Sequence, residues 1–183
     1  MWIRGDKIKK ETKLKLYRAL VKPILLYNSG TWALTKADED NIDAFHRKQL
    51  RRVLNIKYPK IITNESLYRQ TKERPLSSEI REQRWRLFGH ILRRDAEIPA
   101  NQAMTAYFLK CGEPYRGRPI TTMPIVLNHD LKLTEHTMSL KSEQDLEQIR
   151  KVATNRDQWK QLQQDVVGAA EASQSIDRDA KGP

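Results

Sequence analysis

Apolar residues recur at helical spacing along two long stretches of this 183-residue chain, and strand-like alternation is scarce. Between residues 37 and 54, and again between 77 and 94, apolar side chains gather on one side of an ideal helix and charged ones on the other. Such a helix buries its apolar side against its neighbours. The spacing therefore predicts an all-α fold, a small helical bundle that contains these two helices.

Weaker helical periodicity, together with proline, glycine and N-cap residues, predicts the other elements. Pro23 predicts a kink in the first helix, and the prolines and glycines of residues 110–124 predict a linker loop. The predicted N-caps are Thr35, Thr63 (or Asn64), Ser77 and Asn155. The predicted helices lie near residues 9–27, 37–54, 64–71, 77–94, 143–153 and 156–167, with a further candidate from Asn101 to Leu109.

The net charge of +11 is concentrated in one segment of the chain. Residues 47–94 carry fourteen Lys or Arg and four Asp or Glu, a net charge of +10, whereas residues 95–183 carry −2. A segment this positive repels itself unless a polyanion neutralises it, and nucleic acid is the usual polyanion. The charge predicts nucleic-acid binding; the alternative is a solvated surface that keeps the protein soluble.

The candidate binding residues are the cations that helical angles place opposite the apolar faces of the two long helices. They are Arg47, Lys48, Arg51, Arg52, Arg86 and Arg93. If the two apolar faces pack together, these cations lie on the outer surfaces of one compact unit, where they can contact phosphates without reading base sequence.

Two residues of the second long helix break its pattern. Arg84 falls within the apolar stripe and must extend outward or meet a carboxylate, with Glu65 or Glu73 as the expected partner. Gly89 costs helix stability relative to alanine, which predicts that another backbone packs closely against it. Trp85 is expected at the margin of the buried face.

Several function classes are disfavoured by what the sequence lacks. No stretch reaches the roughly 18 apolar residues of a membrane span, and no signal-peptide pattern is present. Cys111 is the only cysteine, so an internal disulfide is excluded and a reducing compartment is favoured. We therefore expect an intracellular protein, nuclear or cytoplasmic, without a membrane partner.

Candidate chemical sites are weak as well. Asp38, Glu39 and Asp40 are more readily explained by helix capping than by metal binding. Trp32 and Trp85 are candidates for base stacking, although core or rim positions are favoured. The four histidines, His46, His90, His129 and His136, show no zinc-site spacing with cysteine. The sequence thus predicts no catalytic residue, metal or cofactor, and the chain is not expected to be an enzyme.

An ordered set of motifs resembles a known family. Lys22–Tyr27 followed by Thr31-Trp32, then Phe45–Leu54 and Arg84–Arg93, is similar to the segment that follows the catalytic palm in LINE-type, non-LTR retrotransposon reverse transcriptases. Arg116–Pro119 and Asn155–Trp159 match later landmarks, so that the resemblance covers about residues 8–165. The chain departs from the family at Asn28, where glycine is usual, and at Gly30, where an acidic residue is usual.

The resemblance implies a basic, thumb-like helical domain over residues 1–96, which would hold an RNA–DNA or DNA duplex by its backbone. A loop-rich segment with C-terminal helices (97–167) and a disordered tail (168–183) would follow. Polymerase activity needs a palm with paired aspartates that hold two metal ions. The sequence contains no Asp-Asp pair, so we expect a binding fragment of a truncated polymerase.

Two alternatives stay open. Helices 64–71 and 77–94 could form a free-standing helix-turn-helix domain that reads DNA sequence, although the joint between them is longer than the typical turn. The chain could also be a protein-interaction domain or an inert helical remnant of a decayed element. The sequence predicts no oligomeric state.

Overall fold

The computed structural model describes residues 8–109, 117, 121–134, 138–140 and 142–179, without the side chains of Leu109 and of 174–179. All regular structure in these ranges is helical, which confirms the all-α fold. Within them, no helix has the length and hydropathy of a membrane-crossing segment. Cys111, His136 and the Arg116–Pro119 motif, apart from Gly117, lie outside the described residues.

The six predicted helices and the candidate at Asn101–Leu109 are confirmed, and one further helix had not been predicted. The helices are α1 (Lys10–Leu16), α2 (Lys22–Leu25), α3 (Lys36–Val53), α4 (Asn64–Thr71), α5 (Leu76–Leu92), α6 (Pro99–Leu109), α7 (Met123–Lys132), α8 (Glu143–Thr154) and α9 (Arg156–Asp179).

The kink predicted at Pro23 takes the form of a π-helical turn, Tyr17–Val21, between α1 and α2. Proline has no N–H for the helical ladder and its ring crowds the preceding turn, which a wider turn relieves. The extra residue in such a turn rotates the side chains that follow it. Leu20 within the turn and Ile24 after it recur at helical spacing with Leu14 and Tyr17, a pattern that predicts burial. They are instead 54% and 79% exposed.

The described residues divide into two compact units at Ile80, inside α5. The first unit runs to Ser29 and from Thr35 to Ile80, and the second takes Gly30–Leu34 and the described chain from Arg81 onward. The sequence had placed a boundary near residue 96. The difference arises because the apolar residues of α5 beyond Ile80, Trp85 among them, belong to the core of the second unit.

The first unit has a core contributed by α1, the π-helical turn, α3 and α4. Leu50, Val53 and Leu54 of α3 are buried as predicted, but Phe45 is 42% exposed, which corrects its placement on the apolar side. The buried members of this core are Leu14, Tyr17, Leu50, Val53, Leu54 and Leu67.

Three of the four predicted N-caps are confirmed. The Thr35 hydroxyl accepts from the N–H of Asp38 at 3.2 Å, and the Asp38 carboxylate accepts from the N–H of Thr35 at 3.0 Å, a reciprocal capping box. Thr63 caps α4 by accepting from the N–H of Ser66, and Asn155 caps α9.

Ser77, the fourth predicted cap, lies inside the first turn of α5 instead. Its N–H and hydroxyl both donate to the buried carboxylate of Asp43 on α3, at 3.0 and 2.7 Å. A side chain from another helix therefore satisfies this helix start, which local sequence could not indicate.

The second unit is built from α5 beyond Ile80 and helices α6 to α9. Helix α7 had been missed: Met123 and Pro124 fell in the predicted loop, the following residues are β-branched, and Thr122 makes no capping bond. The buried core residues are Trp85, Phe88, Leu92, Phe108, Leu127, Leu131, Leu140, Leu146, Ile149, Ala153, Trp159, Leu162 and Val166.

Asp130 of α7 supplies the partner that Arg84 requires. Its buried carboxylate accepts from Arg81 Nε at 2.8 Å, Arg84 Nη1 at 3.2 Å and Trp85 Nε1 at 3.0 Å. The expectation that Glu65 or Glu73 pairs with Arg84 was wrong, because α7 was not foreseen. Trp85 is fully buried rather than marginal.

Gly89 does mark a close approach, but by a side chain rather than by a backbone. A Cβ atom at this position would lie 2.2 Å from Nε1 of Trp159 on α9. The indole ring therefore occupies the space that a larger residue would need, which corrects the expected backbone contact.

Helix α9 continues beyond Gly168, where the sequence predicted disordered chain, and ends at Asp179. Val167 and Ala170 are buried on its inner side. Alanine has the highest helix propensity, so the run Ala169-Ala170 sustains the helix although it offers little to bury. The expected disorder is thereby corrected for the first part of the tail, and residues 180–183 lie outside the described chain.

Candidate nucleic-acid interface

The outer face of α3 carries two exposed cations, Lys48 and Arg52, beside the exposed ring of Phe45. These three residues are spaced i, i+3 and i+7, so that they share one side of the helix. Neither Lys48 nor Arg52 forms an ion pair with a carboxylate of the described residues. We call Lys48 and Arg52 the α3 basic face.

The chain around this face contains no compensating acid. From Ala44 to Asn64 there are six Lys or Arg and no Asp or Glu. The acid that precedes this segment, Asp43, is buried and accepts from Ser77. The positive potential of the segment is therefore not cancelled by its own residues.

The other two predicted cations of α3 are less available to a ligand. Arg51 is half-buried, and its Nη2 donates to Asn64 Oδ1 at 2.7 Å and to the Ile62 carbonyl at 3.5 Å. It therefore holds the segment after α3 against the start of α4. Arg47 is half-buried as well.

Arg86 and Arg93 belong to the second unit, not to the unit that carries α3. The arrangement of all six cations on one compact unit is thus corrected. Arg86 is exposed and lines a shallow cleft of about 330 Å³ with His90 and Arg93. Arg93 Nη1 donates to the Ala153 carbonyl at 3.2 Å in the last turn of α8. Partial burial and repulsion from Arg156 lower the pKa of the Arg93 guanidinium.

Sequence reasoning missed a highly exposed part of the first unit, the connection between α3 and α4. Tyr58 is 90% exposed and Ile61 84% exposed, and Lys57 and Lys60 flank the tyrosine. An aromatic residue between two lysines, in a segment free of acids, was the available signal. The tryptophans considered for stacking lie elsewhere: Trp85 is buried in the core and Trp32 is half-buried.

A second charged cluster in the first unit is neutralised within the chain. Glu73 accepts from Arg18 Nε at 2.5 Å and from Lys22 Nζ at 2.7 Å, and Lys22 also binds Glu79 at 2.6 Å. Burial raises the pKa of Glu73, but the hydrogen bonds from Lys22 and Arg18 outweigh it and lower the pKa overall. These cations line an open cleft of about 470 Å³ yet already have carboxylate partners.

His46 lies buried beside this cluster. Its Nδ1 is 2.7 Å from the Tyr17 hydroxyl, and its Nε2 is 4.0 Å from Glu73 Oε2. Burial lowers the pKa of His46 to about 4, in spite of the opposing effect of Glu73. The ring is therefore neutral near pH 7 and takes no part in an anion site.

The acidic run at the start of α3 does not converge on one point. Asp38 belongs to the capping box, and Glu39 is buried. Asp40 pairs with Lys36, with 3.7 Å between Oδ1 and Nζ. Capping accounts for Asp38, as the sequence indicated. Among the described residues, no group of three His, Cys, Asp or Glu side chains is placed to hold a metal ion.

The geometry of α4 and α5 bears on the helix-turn-helix alternative. Four residues, Lys72 to Pro75, separate the two helices, a length that suits such a motif. A recognition helix, however, contacts bases with its N-terminal residues. In α5 these residues are buried: Leu76, Ser77, Ser78 and Ile80 are all at most 1% exposed.

Comparisons of the chain with protein-family models, with curated proteins and with solved structures find no match.

Proposed function

We propose that this chain binds nucleic acid by its phosphate backbone, with the α3 basic face as the principal contact. The observation that carries the proposal is that Lys48 and Arg52 share one exposed side of α3. They do so within a 21-residue segment, Ala44–Asn64, that has no acidic residue. The cations around Glu73, by contrast, have carboxylate partners.

The mechanism is electrostatic. Lys48 and Arg52 displace the counterions that are condensed on the phosphates they contact, and the release of these ions drives binding. Arg52 can engage a phosphate through two parallel N–H groups, whereas Lys48 acts as a point charge. Contacts of this kind fix a duplex without reading its sequence. Arg86 of the second unit adds a further exposed cation, and Arg93 is a lesser one because it also binds α8.

The motif resemblance supports a more specific version of the proposal. A reverse-transcriptase thumb holds an RNA–DNA or DNA duplex while a palm elsewhere performs polymerisation. We propose that this chain is the post-palm part of such a polymerase from a non-LTR retrotransposon, and that it contributes binding rather than catalysis.

Equilibrium binding to duplexes of equal length and unrelated sequence tests the proposal. Affinity should be nearly the same for both sequences, and should fall as salt rises with a log–log slope of about −0.9 per phosphate contact on B-form DNA. Binding that is absent or insensitive to salt would support a protein-interaction or inert role. A strong difference between sequences would instead support a sequence-reading domain.

A further inference from the structure

The connection between α3 and α4 presents an aromatic ring to solvent in a defined position. The Lys60 N–H donates to the Lys57 carbonyl at 2.9 Å, which closes a turn with Tyr58 and Pro59 at its centre. Tyr58 is 90% exposed at this turn, and Ile61, just after it, is 84% exposed. We call residues 57–61 the loop tip.

Both ends of this connection are fixed to the first unit. On one side the Ile56 N–H donates to the Arg51 carbonyl at 2.9 Å, and on the other Arg51 Nη2 reaches Ile62 and Asn64. The side chains of Ile56 and Ile62 pack against the core that contains Leu50 and Leu67. The tip is thus held by anchored ends, which lowers the entropy lost when a ligand orders it.

The large side chains of Tyr58 and Ile61 are exposed to solvent, so a ligand that covers them would bury apolar surface. Moving an apolar side chain such as that of Ile61 out of water and against a ligand favours binding. Lys57 and Lys60 flank Tyr58 in this turn, and neither pairs with a carboxylate among the described residues. An open aromatic ring among uncompensated cations is complementary to a ligand that is both planar and anionic.

We propose that the loop tip is a stacking site for an unpaired nucleotide, with a base on the ring of Tyr58 and the adjoining phosphates on Lys57 and Lys60. Single-stranded nucleic acid offers both partners, since every base has a stacking face and every linkage a negative charge. A membrane surface fits less well, because interfacial binding needs a broad apolar face and the tip offers Tyr58 and Ile61. The inference rests on the proposed function and adds single-stranded segments to its substrates.

The test compares Tyr58→Ala with Tyr58→Trp, which keeps a stacking ring, and with Tyr27→Ala. Tyr27 is the matched control because it lies in the same unit and is 80% exposed. The probes are a single-stranded oligonucleotide containing 2-aminopurine, whose fluorescence responds to stacking, and a blunt duplex. Binding to vesicles of phosphatidylserine and phosphatidylcholine is measured in parallel.

Tyr58→Ala should weaken single-strand binding by about 5- to 150-fold, the range for one stacked base, and should abolish the 2-aminopurine response. Tyr58→Trp and Tyr27→Ala should keep both. Blunt-duplex affinity should change by less than about twofold, since the bases in the interior of a duplex already stack on both faces and only the two end pairs are open. These outcomes are separate from the test of the α3 basic face, which is read on the duplex with Lys48 and Arg52 variants.

Three results would overturn the inference. One is that the unsubstituted protein does not bind the single strand, and another is that Tyr58→Ala binds it as the unsubstituted protein does. The third is an equal loss on blunt duplex and single strand, which would make Tyr58 a general contact or a structural residue. In the second case, a loss of vesicle binding by Tyr58→Ala would assign the tip to a lipid surface instead.

Discussion

At the scale of single residues, the fit of Gly89 against Trp159 is a tight steric constraint. The indole ring of Trp159 is held by Trp85 and Phe88, whose ring centroids lie 5.6 and 5.9 Å from it. It therefore has little freedom to retreat from a side chain added at position 89, where a Cβ would come within 2.2 Å of Nε1.

Gly89→Ala should destabilise the second unit by about 1–3 kcal/mol, because overpacking outweighs the helix propensity that alanine adds. Gly168→Ala is the matched control, since Gly168 also lies in a helix and has nothing within 4 Å of its Cβ position. It should instead stabilise by about 0.5–1 kcal/mol. Urea unfolding followed by circular dichroism measures both, and equal effects at the two sites would contradict the account.

His46 should make the first unit less stable in mild acid. The pKa of the ring is about 4 in the folded protein and 6.5 in the unfolded chain, so between these values the unfolded state binds more protons. Stability should be complete above pH 6.5 and should fall by about 2 kcal/mol by a pH of about 5, where Glu73 is still ionised.

The change belongs to His46 if His46→Gln flattens this pH dependence while His90→Gln, at an exposed histidine, leaves it intact. The measurement is the free energy of unfolding at a series of pH values. A dependence that persists in His46→Gln would assign the effect to another group.

A side chain's hydrogen-bond partner could be predicted only where the two residues lie close together in the sequence. Thr35, Thr63 and Asn155 bind backbone groups two or three residues away, so that local sequence was sufficient to identify them. Ser77 and Arg84 find their partners 34 and 46 residues away. No local pattern specifies such partners, because they depend on how the helices pack.

At the scale of elements, α7 organises the polar part of the second core. Asp130 is fully buried and holds two guanidinium groups and the Trp85 indole of α5. Removing one partner of a buried ion pair is costly because the other charge stays in a poorly solvated site. The missed helix thus determines how α5 places its arginines.

Asp130→Ala should lower the free energy of unfolding by about 3–5 kcal/mol. Glu147→Ala removes an exposed partner of Arg150, an ion pair of 3.0 Å, and should cost at most about 1 kcal/mol. Thermal and urea unfolding of the two variants compare a buried with an exposed carboxylate. A cost below about 1 kcal/mol for Asp130→Ala would contradict the role assigned to α7.

A helix could be predicted from the sequence when its amphipathic periodicity and its capping residues were clear. Helices α3 and α5 have long amphipathic patterns, and their bounds were predicted within two residues. Helix α7 begins after a proline-rich segment, lacks a capping bond and contains Ile125 and Val126, so its pattern was ambiguous. The end of α9 was missed because an alanine-rich helix shows little amphipathicity.

At the scale of the whole molecule, charge and packing divide the chain differently. The charge is concentrated in residues 47–94, which include the C-terminal part of α3 and all of α4 and α5. Packing separates the units within α5, so the predicted binding cations fall into two groups. The charge pattern could be predicted from the sequence, whereas the division could not, because α5 is one continuous helix.

If Lys48 and Arg52 contact phosphates, their removal should weaken the salt dependence of duplex binding. The double variant Lys48→Ala/Arg52→Ala is compared with Lys151→Ala/Lys160→Ala, which removes two exposed cations from α8 and α9 and so matches the change in net charge. Circular dichroism verifies that both remain folded.

We expect the log–log slope of affinity against salt to flatten by roughly one to two units in the Lys48/Arg52 variant, because two phosphate contacts are lost. The slope of the Lys151/Lys160 variant should stay near that of the unsubstituted protein. If the folded Lys48/Arg52 variant keeps the original affinity and slope, the α3 basic face is only a solvated surface and the proposed function is wrong.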